Sequence, residues 1–75
     1  MRLKIIDVNF TDGQDWIFKL QDEEGNHFFI MNYFFYKEHG LKSPVTKKEL
    51  DSYDKGQWIN VILKEVAGKI IVIDL

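Results

Sequence analysis

The segment Thr46-Lys47-Lys48-Glu49-Leu50 constrains the fold of this chain more than any other. Thr46 and Glu49 have capping-box spacing, in which the Thr hydroxyl accepts the Glu amide proton and the Glu carboxylate answers at Thr46. Val45 before the cap and Leu50 inside the helix form a hydrophobic staple, and Leu50 and Tyr53 share a face ahead of Gly56. The spacing predicts a helix of about two turns, which needs packing against the rest of the fold to persist. Three strand-like runs precede it and two follow.

The runs themselves carry period-two patterning. Leu3 to Phe10 reads as the first strand, with Ile6, Val8 and Phe10 in one phase and Leu3 and Ile5 in the other. That phase change predicts a bulge or bend near Ile5-Ile6. Thr11-Asp12-Gly13-Gln14 has turn chemistry. Trp16 to Gln21 follows as the second strand, with Trp16, Phe18 and Leu20 on one side, and His27 to Met31 as the third. The intervening Asp22-Glu23-Glu24-Gly25-Asn26 turn pairs Leu20 with Phe28 and Phe18 with Ile30 as one inward row. The same logic sets Val8 beside Phe18 and Asp7 opposite Lys19, a favourable cross-strand charge pair.

Residues 32 to 42 admit two readings. Aromatic content at Tyr33-Phe34-Phe35-Tyr36 favours a continued strand, whereas Asn32 as cap and Gly40 as terminator favour a short helix. Pro44 breaks whatever precedes it. After the predicted helix, Gln57 to Glu65 reads as the fourth strand, Ala67-Gly68 as a turn, and Lys69 to Leu75 as a β-branched fifth strand.

Seventy-five residues are expected to form one domain, 1–75, near the lower size limit for a core without staples. The absence of Cys removes disulfides and thiolate metal sites, so apolar packing must supply the stability. A net charge of −2 and a single arginine, Arg2, argue against a strongly basic nucleic-acid binder. With no apolar h-region and no run near membrane-span length, a cytoplasmic location with no membrane association is expected.

With its helix between strands three and four, the chain resembles an OB-fold domain, a small barrel of five strands. Asp54-Lys55-Gly56-Gln57-Trp58-Ile59-Asn60-Val61 looks like the helix exit and fourth strand of such barrels, and Gly25 falls in the hairpin between strands two and three. The expected fold class is therefore mainly β, a five-stranded OB-fold-like barrel with a short helix between strands 3 and 4. An SH3-like barrel is the nearest competitor and lacks a helix there. The resemblance implies a ligand face across strands two and three, here Ile17, Lys19, His27, Phe29 and Met31, flanked by Thr11 to Gln14 and by Ala67 to Lys69. Such domains bind nucleic acids, sugars, metals or proteins, so the fold alone does not choose among them.

On that face Phe29 beside Lys19 would stack a base and contact a phosphate. The alternative is that segment 33 to 36 covers Phe29 and Met31. Asp12, Asp15, Asp22, Glu23 and Glu24 make the hairpin tips acidic, which opposes a polyanion. Lys37, Lys42, Lys47 and Lys48 form either a mild basic patch or a solvated face. Neither His27 nor His39 has metal-ligand spacing, the acidic run lacks calcium-loop order, and no phosphate-cradling loop or nucleophile motif is present. The expectation is a binding module that is not an enzyme and needs no cofactor or metal. Its first reading is binding of single-stranded DNA or RNA through Lys19, His27, Phe29, Met31 and Lys69. Its second is a protein-interaction domain using Tyr33, Phe35, Tyr36 and Trp58.

Overall fold

The computed structural model describes residues 1–9, 15–46 and 48–75. Phe10, the expected turn Thr11–Gln14 and Lys47 lie outside the described residues. The architecture is mainly β: β1 (Arg2–Val8), β2 (Trp16–Gln21), β3 (His27–Met31), α1 (Tyr33–Glu38), β4 (Trp58–Asn60), β5 (Ile62–Val66) and β6 (Lys69–Asp74). The strands form one sheet in the order β4-β1-β2-β3-β6-β5.

The meander follows the predicted registers. Val8 faces Phe18, Asp7 faces Lys19, Phe18 faces Ile30 and Leu20 faces Phe28. The register of β1 shifts between Ile5 and Asp7, where the sequence changes phase. The β2–β3 hairpin is built around Asp22, whose Oδ1 accepts from the backbone N–H groups of Glu24 and Asn26, each at 2.9 Å. Its Oδ2 accepts from Asn26 Nδ2 at 3.0 Å. The Asn26 side-chain bond leads the stabilisation of the charged form, which holds the Asp22 carboxyl below its ordinary value.

Two expectations about the second half are corrected. The single fourth strand is two strands, so the sheet has six and is a curled half-barrel rather than a closed five-stranded barrel. Among the described residues antiparallel β4 pairs only with β1 and antiparallel β5 only with β6, and the single residue Val61 separates them in the chain. Val61 exchanges backbone hydrogen bonds with Met1, its N–H donating at 2.7 Å and its carbonyl accepting at 3.0 Å. One continuous run thus serves both ends of the strand order, which curls the sheet, but no part of it pairs on both sides. Between them, β3 and β6 meet in parallel, with Phe29 opposite Ile71.

The second correction concerns the helix. Residues 48 to 52 form a turn and a one-turn 3-10 helix, Leu50–Ser52, in place of a two-turn α-helix. The Thr46 hydroxyl bonds the Glu49 carboxylate at 3.1 Å instead of capping an amide. Leu50 and Tyr53 nevertheless pack against the core, with Tyr53 edge-on to Phe18 at 5.9 Å.

The α-helix forms earlier, at Tyr33–Glu38. Asn32 Oδ1 accepts from Phe35 N–H at 3.1 Å, satisfying one orphan donor. At the other end Gly40 adopts φ +68° and Leu41 N–H reaches Tyr36 O at 2.8 Å, a Schellman-type closure. A six-residue helix cannot stand on propensity alone. Tyr36, with no exposed surface, is its tether: the hydroxyl donates to Val72 O at 2.5 Å and accepts from Met31 N–H at 3.2 Å. The Tyr36 side chain thereby ties the helix to the backbones of β3 and β6 and joins a core that includes Leu3, Ile5, Phe18, Leu20, Ile30 and Val72.

Candidate ligand groove

A groove of about 420 Å³ opens over β2, β3 and the β5–β6 hairpin, lined by Asp15, Trp16, His27, Phe29, Met31, Gly68, Lys69 and Ile70. Its floor follows from strand alternation. Phe28 and Ile30 point into the core, so His27 and Phe29 fall on the opposite face of β3, while Met31 at the end of the strand is itself a core residue, 2% exposed, that underlies the groove. Phe29 is half-buried there, beside the parallel strand β6.

Trp16 joins this face through a local irregularity. The β2–β3 register shifts between Trp16 and Phe18, which removes Trp16 from the inward row assigned to it by simple alternation. Its ring instead lies 5.9 Å from that of Phe29, tilted by 45°. The two rings make an aromatic wall, and Ile70 extends it.

The polar groups sit at the two ends. In the parallel pairing of Phe29 with Ile71, His27 and Lys69 each lie two residues earlier and therefore at the same level. His27 Nε2 is 3.4 Å from Gln21 Nε2 at this end. Trp16 pairs with Met31 at the other end, so Asp15 falls level with Asn32, whose N–H donates to Asp15 O at 2.9 Å. The groove has a basic end and an acidic end with aromatic rings between them.

Among the residues expected at a nucleic-acid face, His27, Phe29, Met31 and Lys69 come together in the groove. Lys19 stands opposite Phe29 in the ladder but is outside the groove lining. Segment 33 to 36 turns into α1 and leaves Phe29 half-buried, but the expected cover holds for Met31, which is buried and donates its N–H to the Tyr36 hydroxyl. Gly68 belongs to the expected flank Ala67 to Lys69, whereas Trp16, Asp15 and Ile70 were outside the expected set. A register shift with no residue signature hides Trp16, whereas Ile70, in the β-branched last strand, is 49% exposed.

The residues expected at a protein interface divide. Tyr36 is a core residue, and its buried hydroxyl bonds remove it from any surface. Burial is the main reason its pKa is pushed up to about 12. Phe35 is half-buried, with its ring 4.4 Å from that of His39. Tyr33 and its neighbour Phe34 are 53% and 66% exposed, their rings edge-to-face at 5.9 Å. Trp58 lies apart from them, under the Arg2 guanidinium at 5.7 Å.

Among the described residues no three His, Cys, Asp or Glu side chains gather as a metal site, and no helix is long and apolar enough to cross a membrane. No protein-family model matches the chain, and no curated protein or solved structure matches it at a significant level.

Proposed function

We propose that this chain is a cytoplasmic, non-enzymatic, OB-like module that binds single-stranded nucleic acid in the groove over β2, β3 and the last hairpin. The observation that carries the reading is the Trp16–Phe29 pair set in a concavity, with His27 and Lys69 at one end. Flat bases stack on such rings whatever their sequence, at roughly 1–3 kcal/mol per base. The OB-like reading is supported by the β1–β2–β3 meander, the parallel β3–β6 pairing and the run 58–66 that serves both β1 and β6.

The charge distribution sets the expected character of binding. A groove with one lysine neutralises about one or two phosphates, so log K falls with log salt at a slope of roughly −0.7 to −1.4. Between 50 and 200 mM salt the affinity drops by only about three- to sevenfold. Stacking therefore dominates. Titrating decamers of single-stranded DNA and RNA against intrinsic tryptophan fluorescence at both salt concentrations tests this. Absence of binding at low salt refutes the reading, since phosphate contacts are strongest there.

A second reading, a protein-interaction surface, is favoured by the exposure of Tyr33 and Phe34 on α1. A pair of rings on a six-residue helix offers little enclosed area, which places it second.

A further inference from the structure

We propose that Asp15 makes the groove selective for guanine. The inference rests on the nucleic-acid reading above and concerns which base the groove prefers.

An acidic side chain in a site for a polyanion needs an explanation. Asp15 is held at the groove rim by its backbone, whose carbonyl accepts from Asn32 N–H at 2.9 Å. No hydrogen bond ties its carboxylate among the described residues. It adjoins Trp16 in the chain and stands at the end of the groove away from Lys69 and His27. Five residue steps, from the level of His27 to that of Asn32, separate the two ends, roughly 17 Å at about 3.3 Å per residue.

That polarity orients a nucleotide. The phosphate goes to Lys69 and His27, the base stacks on Trp16 and Phe29, and the base edge is turned toward Asp15. A carboxylate offers acceptors only, two oxygens side by side, and is best satisfied by two parallel N–H donors. Among the common bases only guanine presents such an edge, its N1–H and N2–H groups. Adenine and cytosine each present one amino donor beside a ring-nitrogen acceptor, whose lone pair opposes the second oxygen. Thymine and uracil present one N–H between two carbonyls and are repelled. The same carboxylate that weakens general affinity for a polyanion thus discriminates among bases.

The test uses the full chain and thymidine decamers carrying one central guanine, hypoxanthine, adenine or cytosine, titrated at low salt. Hypoxanthine keeps N1–H and lacks the 2-amino group. The expected result is that central guanine binds about fivefold or more tighter than hypoxanthine, the scale of a bidentate contact. The Asp15→Asn variant should bind both alike while keeping the wild-type melting curve, because only an unbonded side chain changes. Equal binding of guanine and hypoxanthine by the wild type, or a preference that survives Asp15→Asn, overturns the inference and leaves the groove reading standing. Failure of every decamer to bind overturns both.

Discussion

Two aromatic pairs in this molecule have the same spacing and opposite settings. Trp16 and Phe29 lie 5.9 Å apart in a groove, while Tyr33 and Phe34 lie 5.9 Å apart on the surface of α1. The helix pair is the more exposed, but it sits on a six-residue helix that offers it little enclosure. The groove pair is half-buried, flanked by Ile70, underlain by Met31, and bounded by Asp15 at one end and Lys69 with His27 at the other. Exposure alone is therefore a poor guide to a ligand site; enclosure together with placed polar groups is a better one.

Tyr36 supports both pairs, since it anchors α1 under Tyr33 and Phe34 and bonds the Met31 backbone beneath the groove. Tyr36→Ala is expected to have the largest effect, a loss of about 3–5 kcal/mol in urea unfolding. Tyr36→Phe keeps the ring but leaves Met31 N–H and Val72 O without their partner, for a loss of about 1–3 kcal/mol. An unchanged midpoint for the Phe variant would break the idea of a shared tether.

The same hydroxyl predicts a pH dependence. Its folded pKa of about 12 exceeds the ordinary value of 10.0, so the folded state holds the proton after the unfolded state has lost it. The contribution is complete below pH 10 and disappears as pH rises toward about 12. Chemical denaturation across that window should show a falling stability whose slope is reduced in Tyr36→Phe.

At the basic end of the groove, Ala67 adopts φ +51° before Gly68 at φ +78°, the pattern of a type I′ turn. Alanine is poorly suited to that region, and Ala67→Asn should stabilise the chain by about 1 kcal/mol without weakening ligand binding. Thermal melts and titration check both halves. The smallest effect is expected at the helix pair: Tyr33→Ala and Phe34→Ala should each change stability by no more than about 0.5 kcal/mol. A larger loss would mean that their rings contribute packing that their exposure conceals.

The sequence patterns were most legible where local and cross-strand preferences agree. The β2–β3 registers follow from alternation and the Asp22-to-Asn26 turn, and the β1 shift follows from the phase change at Ile5-Ile6. Local spacing ranked the two helix signals in the wrong order. Thr46 and Glu49 match a capping box, but tertiary burial decides the outcome, and Tyr36 has both a cavity to fill and partners for its hydroxyl. Strand four looked continuous because Val61 alternates correctly; its division reflects the curl of the sheet, a nonlocal property. Trp16 illustrates the same limit in the groove, where one register shift moves a ring from one face to the other.

The groove's claim is tested most directly by titrating a central-guanine thymidine decamer into wild type, Phe29→Leu and Phe34→Ala, each first shown to be folded. Phe29→Leu retains an apolar side chain and removes the stacking surface. We expect it to bind weaker by about 1–3 kcal/mol, with Phe34→Ala indistinguishable from wild type. Equal binding by Phe29→Leu and wild type, or a loss confined to Phe34→Ala, would contradict the account and move the site to the helix.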